Sequence, residues 1–320
     1  MVANVDASAG GVSVVEVGTR EAGQRIDNFL ARRLRGVPRS HIYRILRTGQ
    51  VRVNSARARP AYRLRAGDRV RIPPVRLGAK VRAGAPPAGL LARVRAAVVD
   101  DAHGFLVVDK PPGLAVHGGT GVRWGLIEAL RAAFPERQCL ELVHRLDRET
   151  SGVLLVATDP ASLRWGHRML RAGSARKRYL ALLAGRLPGG ETVVDAPLAR
   201  GQARGGERLS AVSAAGRAAH TVFRPLARHG DLTLVEVSIG TGRTHQIRVH
   251  AAHIGHPVAG DTRYGDRTLN RRLRALGLRR LFLHASDLAL PLPDGGELVA
   301  SCPLAEDLRA VLAALEGAVA

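Results

Sequence analysis

Residues 141–157 read ELVHRLDRETSGVLLVA, an apolar entry at Leu142-Val143, a charge-dense run from His144 to Ser151, and an apolar exit from Gly152 to Ala157. Apolar runs of this length bounded by polar residues read as buried strands. The polar run between them is then a loop held by rigid neighbours, the usual place for function. A plainer alternative is that Asp147 and Thr150 only cap the loop's own backbone, and local composition does not separate the two. Further strands are expected at Phe105–Asp109, Cys139–Val143, Tyr179–Leu183, Glu191–Ala196, His220–Arg224 and Thr233–Ile239. Helices interrupt them irregularly. Asp159-Pro160 supplies an N-cap and an N1 proline, Thr244 is an N-cap candidate, and a terminal amphipathic helix runs from Pro303 through Leu308, Val311 and Leu315. Strands in runs with scattered helices predict an α+β fold with a mostly antiparallel sheet.

Toward the N-terminus the text changes. Residues 1–14 are small and weakly patterned and read as a loose tail. Over 15–75, Ile26, Phe29, Leu30 and Leu34 recur at helical spacing, a second helix starts near Ser40, and Val51, Val53, Val70 and Ile72 alternate as in strands. Arg32, Arg33, Arg35, Arg39, Arg44 and Arg47 are left for the outer faces. Residues 76–97, rich in Pro, Gly, Ala and Arg, read as a linker with a short helix at its end. The expected organisation is therefore a tail (1–14), a small basic module (15–75), a linker (76–97) and a large domain (98–320).

The 320 residues carry 49 Lys+Arg against 27 Asp+Glu, a formal charge of +22. Residues 1–75 hold fifteen arginines and five acids, so +10 of that total sits on less than a quarter of the chain. A field of this size implies a polyanionic partner, nucleic acid ahead of an acidic membrane surface. Two cysteines exclude a disulfide framework and a Cys-rich zinc site. MVANVDASAG, residues 1–10, lacks a basic n-region and an apolar h-region, so no signal peptide is readable and a cytoplasmic protein is expected.

Several familiar chemistries are missing. None of the three lysines stands in a P-loop context, and no G-x-G-x-x-G joins a strand to a helix. HGGTG at 117–121 resembles an esterase oxyanion loop but has no G-x-S-x-G partner. His245, His250, His253 and His256 lack Cys or Glu neighbours and sit beside Arg243 and Arg248, which repel a cation, so packed or phosphate-facing histidines are expected rather than a metal site. Two more polar segments stand out. Gly240–Arg248 runs from strand through a glycine turn into a helix, where amides meet a phosphate and an arginine reaches a carboxylate. Lys177-Arg178-Tyr179 supplies one of only four tyrosines.

These segments together resemble the RluA-type pseudouridine synthases. HRLDRETSG (144–152) looks like that family's catalytic motif. KPPGLAVH (110–117), Lys177-x-Tyr179, GRTHQIRVH (242–250), GDTRYG (260–265) and LFLHA (281–285) follow in family order. The stretches RIDNFL (25–30), SHIYRI (40–45) and VRVN (51–54) resemble an S4 RNA-binding domain. The resemblance implies a pseudouridine synthase domain with an antiparallel sheet, preceded by the S4-like module. It also implies a cofactor-independent isomerisation of uridines in RNA, with large-subunit (23S) ribosomal RNA the expected partner. Another structured RNA such as tRNA, and a non-catalytic assembly factor, are the alternatives. A monomer without membrane or metal association is expected.

By the same resemblance Asp147 acts at C1′ or C2′, Tyr179 stacks on uracil and assists proton transfer at C5, and Arg248 aims Asp147 through two parallel charge-assisted bonds. Arg145 fills the gap left by the flipped base, Ile247 is an apolar wall of the base pocket, and Glu149 is a loop residue. RNA contacts are expected from His144, Arg145, Arg243 and Lys110, and from Arg32, Arg33, Arg39, Arg44 and Arg47 of the first module. Asp109 and Arg178 depart from the family pattern without touching this chemistry. A methyltransferase bearing an S4 module is disfavoured, because no glycine-rich cofactor loop follows a first strand.

Overall fold

The computed structural model describes residues 11–34, 37, 39–75, 85–118, 122–204 and 207–317, so residues 1–10 of the expected tail, Arg35, residues 76–84 of the expected linker and residues 119–121 of the HGGTG stretch lie outside the described residues. The chain divides into two compact units, Met1–Gly84 and Ala85–Ala320.

The first unit is a four-stranded sheet with two helices: β1 (Ser13–Glu16), α1 (Ile26–Arg33), α2 (Arg39–Arg47), β2 (Arg52–Val53), β3 (Ala56–Arg57) and β4 (Arg69–Ile72), in strand order β1-β4-β2-β3. Ile26, Phe29 and Leu30 of α1 and Ile42, Ile45 and Leu46 of α2 are buried with Val51, Val53, Val70 and Ile72 in one core. A strand enters the last two residues of the expected tail. β1 begins at Ser13 and pairs with β4 from Ser13↔Ile72 to Glu16↔Arg69, an edge strand whose half-buried residues leave little alternation to read.

The second unit begins inside the expected linker. Residues 88–96 form α3, whose Val94 is fully buried, with Leu90 and Leu91 packed on the same core; Val94 lies four and three residues after them, on one helix face, and holds the helix onto this unit. There follow β5 (Val98–Ala102), β6 (Phe105–Lys110), α4 (Leu126–Ala133), β7 (Glu141–Leu142), β8 (Ser151–Ala157), α5 (Pro160–Ala172) and β9 (Arg176–Ala184). The remaining elements are β10 (Thr192–Asp195), β11 (Leu198–Arg204), β12 (Glu207–Val212), β13 (His220–His229), β14 (Leu232–Ile239), α6 (Gln246–His253), α7 (Arg267–Ala275), β15 (Leu283–Pro291), β16 (Glu297–Ser301) and α8 (Glu306–Gly317). A ten-stranded sheet runs β10-β13-β14-β9-β15-β8-β6-β5, with β16 on β15 and β7 on β8, and β11-β12 form a separate hairpin. All of its pairings are antiparallel except β15–β8.

That parallel contact brings the loop before β8 to the middle of the sheet. Gly152 sits at φ 102°, and a Cβ there would lie 2.1 Å from the Ala285 carbonyl oxygen, so only glycine lets the two backbones meet. α5 starts as expected, with Asp159 accepting from the amides of Ala161 and Ser162, and ends at a left-handed Gly173. α8 buries Leu308, Val311 and Leu315. Two expectations shift. The strand expected at Cys139–Val143 is only Glu141–Leu142, and the cap of α6 is His245 rather than Thr244. Among the described residues no helix is long and apolar enough to cross a membrane.

Candidate active site

The β7–β8 loop is held from beneath by Lys110. Its ammonium is buried at the end of β6 and donates to the carbonyls of Pro111 (2.9 Å), Leu114 (2.8 Å) and Arg148 (3.1 Å). Burial pushes it down to about 7, against the pull of Glu149 and Asp147. Lys110 is thus no RNA contact: all three donors are committed to backbone, and the side chain ties the loop after β6 to the loop that carries Asp147. His144 also faces inward. Its Nε2 accepts from the Leu155 amide at 3.0 Å, and burial, with the nearby Lys177 charge, pushes the imidazole down to about 3, so it is neutral.

Asp147 presents a carboxylate that is 18% exposed, open enough to reach a substrate. Arg248 of α6 approaches it with Nη1 at 3.3 Å, and His245 with Nε2 at 3.9 Å. The two parallel bonds expected between Arg248 and Asp147 instead go to Asp261: Nε to Oδ2 at 2.6 Å and Nη2 to Oδ1 at 2.8 Å. Asp261 is 1% exposed and also accepts from the amides of Arg263 and Tyr264. Burial alone would raise its carboxyl, but Arg248 and those amides override it and hold Asp261 below the usual carboxylate range. A fully ionised buried partner therefore locks the guanidinium, which leaves one nitrogen free for Asp147. The guanidinium carbon lies 5.1 Å from the Tyr264 ring centroid, a second restraint on its plane.

Sequence reasoning missed three residues that build this arrangement. Asp261 stands in the motif at 260–265, from which no role was read. Tyr264, whose oxygen accepts from the Ser210 amide and meets His245 Nδ1 at 2.9 Å, fixes the histidine ring. Gln246, buried at the start of α6, accepts from Thr241 Oγ1 and the Arg243 amide and donates to the His220 carbonyl and Thr221 Oγ1, latching the glycine turn to β13. That turn bends through His245 at φ 56°, a left-handed conformation that starts the helix without a side-chain cap. Only the matching spacings in 242–250 and 260–265 hinted at any of this.

Facing Asp147 is an apolar pocket. Tyr179 of β9, Ile239 at the end of β14, Ile247 of α6 and Leu283 of β15 line it together with Asp147, Arg145 and Arg248. Tyr179 is 7% exposed, and among the described residues its hydroxyl has no hydrogen-bond partner; burial and the Asp147 charge raise its phenol above the ordinary value. Arg145 is exposed at the mouth, while Arg243 is half-buried with Nε on the Ala218 carbonyl. In the first unit Arg32, Arg44 and Arg47 are exposed on α1 and α2. Arg33 is not free: it pairs with Glu21 at 2.9 Å and stacks over Phe29 at 4.8 Å, because it faces the turn before α1. The side chain of Arg39 lies outside the described residues.

Residues 104–253 match the family model described as RNA pseudouridylate synthase, and residues 24–70 match the S4 domain. "Ribosomal large subunit pseudouridine synthase C" of Escherichia coli (strain K12) is 48% identical over 96% of this chain and 98% of its own length. The chain belongs to the RNA pseudouridylate synthase family. The synthase from Pasteurella multocida (strain Pm70) that bears the same name is 45% identical over 95% of this chain and 94% of its own. Among solved structures, "Human RNA Pseudouridylate Synthase Domain Containing 4" superposes with a TM-score of 0.60 at 26% identity, covering 71% of this synthase and 96% of that chain. The synthase thus combines a pseudouridylate synthase domain with an S4 domain and is an RNA pseudouridine synthase enzyme.

Proposed function

We propose that the synthase isomerises particular uridines of 23S ribosomal RNA to pseudouridine in the cytoplasm, with Asp147 as the catalytic carboxylate. The observation that carries this reading is a partly open carboxylate, steered by an immobilised Arg248, facing an apolar pocket floored by Tyr179. The names of relatives aligned over nearly the whole chain support the ribosomal target.

The uridine is flipped out of the RNA at a cost of a few kcal/mol. Tyr179, Ile247, Ile239 and Leu283 receive the ring, and exposed Arg145 takes the vacated place in the stack. Asp147 then acts either on C1′ as nucleophile or on the C2′ proton as base, and the N1–C1′ bond breaks. The uracil turns within the pocket and C5 bonds to C1′, either as the Asp147–C1′ bond breaks or as Asp147 returns the proton to C2′; the C5 proton leaves and N1 is protonated, so the product is an isomer of the substrate. A phenol kept protonated by its surroundings suits Tyr179 to stacking and to passing a proton at C5. Arg32, Arg44 and Arg47 of the S4 domain track phosphates.

The test maps pseudouridines in 23S ribosomal RNA from cells lacking the gene, complemented with wild type or Asp147→Asn. Sites lost on deletion and restored only by wild type are the expected result. Full modification in every strain would leave an RNA-binding assembly factor.

A further inference from the structure

Tyr179 lines a second cavity besides the base pocket, about 500 Å3 in volume, together with Arg145, Arg171, Lys177, Arg217 and Arg243. Among the described residues no carboxylate lines it. The cavity that shares Asp147 with the base pocket is different, since Glu149 and Asp261 stand among its arginines. Cations converge on the first cavity from five separate places: the β7–β8 loop, the end of α5, β9, the connection before β13 and the turn before α6.

Arg171 and Arg217 are exposed, and a solvated surface charge explains either one alone. Lys177 and Arg243 are only half-exposed. The Lys177 ammonium has no hydrogen bond or ion pair among the described residues, and it reaches toward the glycine turn, 3.9 Å from where a Cβ on Gly242 would stand. Burial and the Arg243 charge lower its proton affinity, and burial and the Arg217 charge do the same to Arg243. Half-buried like charges that repel one another cost stability, and an anion between them reverses the sign. Lys177 and Tyr179 are two residues apart on β9 and so project from the same face, roughly 7 Å along the strand. A nucleotide whose base lies on Tyr179 thus has its backbone within reach of Lys177.

We propose that this cavity is the subsite for a phosphodiester group adjoining the target uridine, with Lys177 and Arg243 as its inner contacts and Arg171 and Arg217 at its rim. The proposal rests on the RNA-modifying reading above and adds the path of the strand: it leaves the base pocket on the Lys177 side, not over Asp261 and Glu149.

The experiment uses the full chain and a 23S transcript fragment carrying a uridine that wild type converts. Lys177→Met should raise KM about tenfold with kcat changed less than twofold, and should lower the slope of log KM against log salt by about 0.7, one single-strand phosphate contact. Lys177→Arg should recover most of the loss. A neutral methylphosphonate at one linkage flanking the target should weaken wild type about tenfold and Lys177→Met no further. Arg217→Gln, at the exposed rim, repeats the salt measurement if Lys177→Met does not fold. Unchanged KM and slope, or equal methylphosphonate penalties in wild type and Lys177→Met, would overturn the subsite while leaving the activity intact. A wild type that converts no uridine would overturn both.

Discussion

Arg248 stands between two carboxylates and serves them unequally. Asp261 holds it with two short bonds in a buried site, and Asp147 receives one longer bond at 3.3 Å. A catalytic carboxylate clamped by a bidentate arginine would be committed to that arginine; one touched by a single nitrogen stays available while its direction is set. Asp261→Asn keeps the shape but removes the charge that holds the guanidinium. Arg248 should then swing toward Asp147. Breaking a buried pair of this kind costs about 3 kcal/mol, measurable by urea denaturation, and single-turnover pseudouridine formation should slow at least tenfold. Wild-type stability and rate in this variant would remove the assigned role.

At the scale of elements, the loop that carries Asp147 hangs on a strand of only two residues, and a side chain extends that strand's pairing. After Glu141↔Ala157 and Leu142↔Val156, the Val143 amide donates to the Leu155 carbonyl and His144 Nε2 takes the Leu155 amide, where a backbone carbonyl would otherwise stand. Only a neutral imidazole offers that lone pair. The folded value near 3 lies below the ordinary 6.5, so the unfolded chain binds the extra proton and stability is lost as pH falls from 6.5 toward 3. His144→Gln keeps an acceptor that does not titrate. Between pH 7 and 5 wild type should lose about 2 kcal/mol relative to this variant, read from paired urea melts; parallel pH curves would show that His144 is solvated in the folded loop.

At the scale of the molecule, charge is distributed by unit. The first 75 residues hold +10 of the +22, arginines are exposed on α1 and α2, and that unit has a core of its own. Each phosphate contact adds about 0.7 to 0.9 to the slope of log affinity against log salt. The chain lacking residues 1–84 should therefore bind 23S fragments more weakly and with a shallower salt slope, while circular dichroism of the remainder stays native, because the second unit buries separate cores of its own. Filter binding over a range of salt checks this; an unchanged slope would assign capture to the second unit alone.

What the sequence determined by itself is local or periodic. The helices of the S4 unit, the Asp159 cap, the buried face of α8 and the apolar strands on either side of Asp147 follow from spacing and capping, which act between neighbours in the chain. Ordered motifs placed Asp147, Tyr179 and Arg248 as one candidate set before any contact was known. Tertiary structure decided the rest. Pairing β15 with β8 and β9 joins residues more than a hundred positions apart, and no local pattern encodes such a register. The bidentate partner of Arg248 is Asp261 rather than Asp147, because the turn after α6 brings a carboxylate thirteen positions on back against the helix. Lys110 and Arg33 are the same residue types as any phosphate-binding cation, and it is burial, against three carbonyls in one case and Glu21 with Phe29 in the other, that makes them supports of the fold.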